Sequence, residues 1–350
     1  MATNECNPHR EGDPRSRSAS AAFPWTGRTV AVLGATGFLG RWLARGAEAR
    51  GGEVHWIVRD VERARALGVR TGLHPRIHGV DAGVEGELET LLDALAPDLV
   101  LNAVGYGVDP RERDETLATA LNRDLPVRLG RWLARETERS VARCPVRLLH
   151  LGSALEYGEV GGDLAEDGPR HPTTLYGRTK LQGVEALSSK ATAESLPVLT
   201  ARLFTVFGPG EHAGRLFPSL LGLAREAGGF DLDLTSGKQV RDFAYVEDVA
   251  RCALDLCDVE APPGHIVNLA SGVNRTVRDF VLAVAAALEI DRDRLRFGVL
   301  PVRREEMAHD PVRLVRLRAL GVVPPPADIA GAVRRSLECW ETMGDADGES

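Results

Sequence analysis

Thr29-Val30-Ala31-Val32-Leu33-Gly34-Ala35-Thr36-Gly37-Phe38-Leu39-Gly40 reads as a strand, a tight turn and the start of a helix. Thr29 to Leu33 is a β-branched, apolar run of the kind that fills a buried parallel strand. Three glycines follow at three-residue spacing, and Phe38 to Arg50 then has helical character. Such a turn brings backbone N–H groups and the positive end of a helix close to a phosphate. Gly34 would permit the turn, Gly37 would let a pyrophosphate approach the backbone, and Gly40 would let helix pack on strand.

Outward from that stretch, strand-like and helix-like segments alternate to about residue 205. Strands are predicted at Val54 to Val58, Ile77 to Val80, Asp98 to Val104, Val146 to Leu151 and Pro197 to Leu203. A stripe of Leu88, Leu91, Leu92 and Leu95 marks one helix, and a long helix is predicted from about Glu112 to Thr137. This alternation predicts an α/β fold with a Rossmann-type, doubly wound parallel sheet. Beyond residue 205 the pattern loosens into short strands (near Phe230 to Leu234 and His265 to Leu269) and helices (near Val246 to Cys257, Val277 to Leu288 and Ile329 to Glu341). The organisation expected is a disordered tail over 1–26, a dinucleotide-binding domain over 27–205, and a smaller C-terminal substrate lobe over 206–342. That lobe would return in places to the main sheet, and 343–350 would be a second tail.

Composition narrows the classes of partner. The chain has 350 residues, is 43% hydrophobic and carries a formal charge of −7. No general basic field attracts nucleic acid or an anionic membrane, so cations that matter should be local. Five scattered cysteines show neither a disulfide framework nor metal spacing, and no metal site is expected. No apolar run is long enough to span a bilayer and the N-terminus has no apolar signal core, which points to the cytoplasm.

Chemistry gathers at the ends of the predicted strands. Ile57-Val58-Arg59-Asp60 closes the second. An acid there suits the ribose of NAD, and an arginine suits the 2′-phosphate of NADP. Arg59 comes first after the apolar run and Arg41 lies just past Gly40, so NADP is expected, with NAD and Asp60 as the alternative. Leu151-Gly152-Ser153-Ala154-Leu155-Glu156-Tyr157-Gly158 follows the fifth strand and puts Ser153 at its carboxyl end. Tyr176-Gly177-Arg178-Thr179-Lys180 then opens a helix, with Tyr176 and Lys180 on one face. An ammonium one turn away should bring a phenol down from its usual pKa of ~10 and let it exchange a proton with a carbonyl or alcohol oxygen. Ser153 would hold the same oxygen, and Lys180 could also hold the nicotinamide ribose.

Glycine turn, strand-end serine and Tyr-x-x-x-Lys together resemble the extended short-chain dehydrogenase/reductase superfamily, the NAD-dependent epimerase/dehydratase enzymes that modify nucleotide sugars. The resemblance covers about residues 28 to 342. It implies catalytic roles for Ser153, Tyr176 and Lys180. It places Gly34, Thr36, Gly37, Phe38, Leu39, Ala103 and Phe204 on the cofactor, with Asp81 at the adenine, and it matches Asn122 to a family asparagine. Arg202-Leu203-Phe204-Thr205-Val206-Phe207-Gly208-Pro209 resembles the junction to the substrate lobe, with Thr205 where an asparagine is usual. Arg241 and Arg303 resemble the two ligands of the nucleotide diphosphate. The expected activity is NADP-dependent reduction of a keto group on a nucleotide-linked deoxysugar. An epimerase with bound NAD is the close rival, and a catalytically silent cofactor sensor the distant one. Dehydratases of this family carry an Asp-Glu pair after the strand-end Ser/Thr, where this chain has Ala154 and Leu155. Glu156, one position later, would project away if that segment stays extended, and a local turn would bring it back. The resemblance further implies a homodimer through the long helix and the Tyr-x-x-x-Lys helix. A stripe of Leu117, Leu121, Leu125 and Leu129 lies on the first of these.

Overall fold

Val30 and Val32 face one side of the central sheet and Ala31 and Leu33 the other, and all four are fully buried. A strand covered on both faces has no solvent side, which is why its sequence is continuously apolar. The computed structural model describes residues 23–108, 112–139, 146–160, 162–225, 231–302 and 311–343. In chain order the first strands are β1 (Thr29–Leu33), β2 (Glu53–Val58), β3 (Arg76–Gly79), β4 (Leu99–Asn102), β5 (Arg147–Ser153) and β6 (Val198–Leu203). Then come β7 (Thr205–Phe207), β8 (Leu232–Leu234), β9 (Val240–Tyr245), β10 (His265–Leu269), β11 (Asn274–Thr276) and β12 (Leu295–Phe297). The main sheet has seven strands in the order β10-β6-β5-β4-β1-β2-β3, all paired in parallel.

The helices between these strands are α1 (Phe38–Ala49), α2 (Val61–Thr71), α3 (Glu87–Leu95), α4 (Glu115–Ala118), α5 (Leu125–Arg139) and α6 (Leu175–Ala193). Trp42, Leu43 and Ala47 of α1 share a core with Val30, Val32 and the helix Val246–Cys257. Leu88 and Leu92 of α3, Leu125, Leu129 and Trp132 of α5, and Leu187 of α6 fill the opposite face with Ala31 and Leu33. Strand order reverses where β1 lies between β2 and β4, and the loops leaving β1 and β4 meet there. A side chain on Gly34 would stand 3.3 Å from Val104. That crevice, outside the carboxyl ends of the strands, is where such sheets bind ligands.

Several boundaries differ from those predicted. The single helix expected over Glu112 to Thr137 is α4, a π-helical turn (Thr119–Asp124) and then α5. Pro126 has no N–H to give to the carbonyl of Asn122, and a wide turn absorbs the missing bond. The chain is ordered from before residue 26: Phe23 and Trp25 are buried edge-to-face, and the Trp25 indole donates to Asp258 at 2.6 Å. Residues 1–22 and 344–350 lie outside the described residues. Past β6, β7 pairs with β9 and β9 with β11 in a small second sheet, and β8 pairs with β12. β10 joins the edge of the main sheet beside β6.

Candidate active site

The glycine turn fits a dinucleotide. Gly34 has φ +74°, which a side chain would strain, and a Cβ on Gly40 would lie 2.0 Å from the Gly34 carbonyl oxygen. Gly37 is exposed at the start of α1, so the backbone there is open to a phosphate. Thr36, Phe38 and Leu39 flank it, half-buried. At the end of β2, Arg59 is exposed and has no hydrogen-bond or ion-pair partner among the described residues. Asp60 is engaged, since its carboxylate caps α2 by accepting from Arg63 N at 2.9 Å. Arg41 is not beside Arg59 in function. It is buried and donates to the carbonyls of Thr36, Gly37 and Met343, locking the turn to the last helix. Asp81 is exposed past β3 and accepts from Gly83 N with one oxygen.

Ser153 ends β5 and caps a short 3₁₀ turn (Ala154–Glu156), its Oγ accepting from Leu155 N at 3.2 Å. Its hydroxyl proton is left to donate, and the Ser153 hydroxyl draws the Tyr176 phenol toward its ionised form. Thr174 caps α6 through Gly177 N, so Tyr176 falls in the first turn and Lys180 one turn on. Lys180 is only 2% exposed. Its Nζ donates to the carbonyls of Val104 (3.1 Å) and Leu151 (3.0 Å), which leaves one of three N–H bonds for a ligand in the crevice. Ala103 and Gly105 line the same loop, and Asn122 braces it. Asn122 Oδ1 accepts from Tyr106 N, and its Nδ2 donates to Tyr106 O and to Thr179 Oγ1.

The electrostatics differ from the expectation of a phenol brought down by its lysine. Burial pushes Tyr176 up from its ordinary value, Glu156 and Glu112 push it further, and the Ser153 hydrogen bond and Arg215 pull against them. Burial in turn pushes Lys180 down to about 8, with Glu156 opposing. The reason is placement, since Lys180 spends its charge on two carbonyl oxygens beneath the site. The phenol is therefore the neutral, proton-bearing form at neutral pH.

Phe204 is buried against Tyr157, and Thr205 opens β7 beside it, half-exposed. Arg241 lies half-buried on β9. Asp242 accepts from Ser271 N and Gly272 N, and Glu247 pairs with Arg335. Arg303 lies outside the described residues. The segment after Ser153 is a turn and not extended, so Glu156 is brought back and forms with Arg202 a fully buried ion pair at 2.8 Å directly behind Ser153, a pairing the sequence does not show. An acid three residues after the serine and an arginine inside an apolar strand were the available signals.

Sheet order, crevice and glycine turn define a dinucleotide-binding α/β fold of the extended short-chain dehydrogenase/reductase kind. Over residues 30–270 the sequence matches the NAD dependent epimerase/dehydratase family, and the chain belongs to that family. It is 33% identical over 261 residues to dTDP-6-deoxy-L-talose 4-dehydrogenase (NAD(P)(+)) of Kitasatospora kifunensis, covering 72% of this chain and 76% of that one. It is 24% identical to dTDP-4-dehydro-6-deoxy-D-allose reductase of Streptomyces bikiniensis over 75% of this chain and 82% of that one. Among solved structures, UDP-N-acetylglucosamine 4-epimerase from Methanobrevibacter ruminantium M1 superposes with a TM-score of 0.75 at 20% identity, over 90% of this chain and 98% of its own.

Proposed function

We propose that this protein reduces a keto group on a nucleotide-linked 6-deoxyhexose with NADPH. The observation that carries the reading is the Tyr176 and Lys180 face of α6 set beside Ser153 at the end of β5, with Lys180 Nζ on the carbonyls of Val104 and Leu151 at the dinucleotide crevice. When bound there, the dihydronicotinamide supplies the hydride. Ser153 donates a hydrogen bond to the substrate carbonyl oxygen and Tyr176 delivers the proton as charge develops on it. Lys180 holds the nicotinamide ribose with its remaining N–H. Ala154 and Leu155 can neither donate nor accept a proton, so elimination of water lacks its acid and base. Arg59 is the cation offered to a 2′-phosphate, and Arg241 with Arg303 takes the diphosphate. The relatives named for oxidoreduction at C4 of dTDP-deoxysugars support the substrate class.

The test offers a nucleotide-4-keto-6-deoxyhexose and NADPH to the purified protein. Stoichiometric oxidation of NADPH with formation of the 6-deoxyhexose is expected. A nucleotide-hexose that loses one water with no external reductant would overturn the reading. Tightly retained NAD and inversion of a nucleotide-sugar hydroxyl would establish the epimerase instead.

A further inference from the structure

His150 has no part in the chemistry just described, yet it is fully buried on β5, in register with Asn102 of β4. Leu148, two residues earlier on the same face, belongs to an apolar core, so a leucine would suit the position. Instead the imidazole Nδ1 lies 3.0 Å from Asn102 Nδ2. The other end of that amide fixes its orientation, because Asn102 Oδ1 accepts from Val104 N at 3.1 Å. Asn102 Nδ2 must therefore donate and His150 Nδ1 must accept, which puts the imidazole proton on Nε2. Nε2 is buried and has no partner among the described residues. A buried donor without a partner is costly, so stability alone does not account for the histidine. Burial, with the Lys180 ammonium adding to it, holds the ring well below its ordinary pKa and keeps it neutral.

We infer that His150 is a positioning residue for Lys180, acting through the Asn102 amide and the backbone of Val104. The links are continuous. His150 Nδ1 accepts from Asn102, Asn102 accepts the Val104 N–H, and the Val104 carbonyl accepts from Lys180 Nζ at 3.1 Å. The strand that carries His150 supplies the second acceptor, since the carbonyl of the next residue, Leu151, takes Lys180 Nζ at 3.0 Å. The loop after β4 is closely fitted on both sides. A Cβ on Gly105 would stand 3.5 Å from Lys180 Cε, and a Cβ on Gly34 would stand 3.4 Å from the Ala103 carbonyl oxygen. Two ammonium N–H bonds held on fixed carbonyls aim the third at the crevice. The inference rests on the reading in which that third N–H holds the nicotinamide ribose. Without the His150 acceptor, Asn102 Nδ2 becomes a buried donor with nothing to bond, and the amide can turn away from Val104 N. Val104 is then released at its N–H, and its carbonyl no longer holds Lys180 in one place.

His150→Leu in the full-length protein tests this by cofactor binding. The Kd of NADPH and that of NADH, from fluorescence titration, should both rise about tenfold, as for the loss of one hydrogen bond to a charged group. Adenosine 2′,5′-bisphosphate carries the phosphorylated adenosine and no nicotinamide ribose, and its affinity should not change. His150→Asn puts an amide oxygen where Nδ1 stands and should restore NADPH binding. Unchanged NADPH affinity in folded His150→Leu would overturn the inference, and so would an equal loss of adenosine 2′,5′-bisphosphate. Should His150→Leu fail to fold, the parent protein still decides. Long-range ¹H–¹⁵N NMR, with His150 picked out of the nine histidines by His150→Asn, should show an unprotonated Nδ1 and a protonated Nε2. A proton on Nδ1 would break the first link and overturn the inference. Neither measurement uses a keto-sugar. Absence of keto-sugar turnover by the parent protein would therefore count against the reductase reading, separately from the placing of Lys180.

Discussion

Tyr176 stands a helical turn before Lys180, and with Ser153 those side chains come from a strand end and one helix face. Tyr176→Phe removes one oxygen and leaves the packing. It should lower kcat about 10²–10⁴-fold with cofactor affinity unchanged, as measured by NADPH fluorescence titration beside steady-state rates. Near-normal turnover in that variant would refute the assignment. Arg59 is solvent-exposed and free of described partners, so its removal should cost no fold. Arg59→Ala should weaken NADPH binding by about 1.5–3 kcal/mol, the range of a hydrogen bond to a charged group, and spare NADH. Equal losses for the two cofactors would show that it does not read the 2′-phosphate. At this scale the sequence yields residues whose spacing is local, such as Tyr176 and Lys180. It does not yield Arg202 with Glu156, because a pair 46 residues apart becomes visible only when β5 and β6 lie side by side.

The turn between β1 and α1 was legible because each glycine has a local geometric reason. Gly40 shows the tightest, so Gly40→Ala must push α1 off β1. A loss of about 1–3 kcal/mol in denaturant unfolding is expected, with weaker cofactor binding. The long helix was less legible, since periodicity carries no sign of the π turn that Pro126 and Asn122 impose. The strands β7, β11 and β12 were not legible, because three residues give too little alternation to separate from loop, and β9 was not because Arg241 and Asp242 interrupt its apolar run. The loop after β7 holds one further element-scale consequence. Glu211 is buried with Oε2 unpartnered among the described residues and only a long 3.4 Å contact to Arg215. Burial pushes its carboxyl from 4.5 to about 7. The folded state therefore holds a proton that the unfolded state releases above its own pKa. Stability from this group is full below about 4.5 and is lost as pH rises through about 7. Glu211→Gln should flatten that window and be more stable than the parent at pH 8 by about 1–2 kcal/mol, less whatever the Arg215 contact contributes. A parent protein whose urea midpoint rises from pH 5 to pH 8 relative to the variant would contradict it.

Across the whole molecule, the formal charge of −7 leaves no general basic field. No described helix is long and apolar enough to cross a membrane. Assembly is the remaining property of this scale. The leucine stripe that suggested an interface divides in the fold: Leu125 and Leu129 are buried against the protein's own sheet, while Leu117 and Leu121 stay half-exposed. The apolar argument for a dimer is thus halved, since a helix covering a sheet must spend one face on it. What supports pairing is the surface left outside. α5 and α6 pack closely side by side, with Gly130 of α5 against Leu187 of α6. Arg131 and Arg135 of α5 are exposed on the side of Glu85 and Glu89, and Gln182, Glu185 and Ala186 of α6 are exposed, with Glu185 3.3 Å from Arg170. A two-fold axis along these helices sets α5 of one copy against α6 of the other, with charged residues of both signs at the seam. An interface of that mixed character is weaker than a core-like one and is screened by salt. Light scattering should therefore give the mass of a homodimer at micromolar concentration in low salt, with Arg131→Glu together with Arg135→Glu shifting it to monomer. A parent protein that is monomeric under those conditions would refute the assembly.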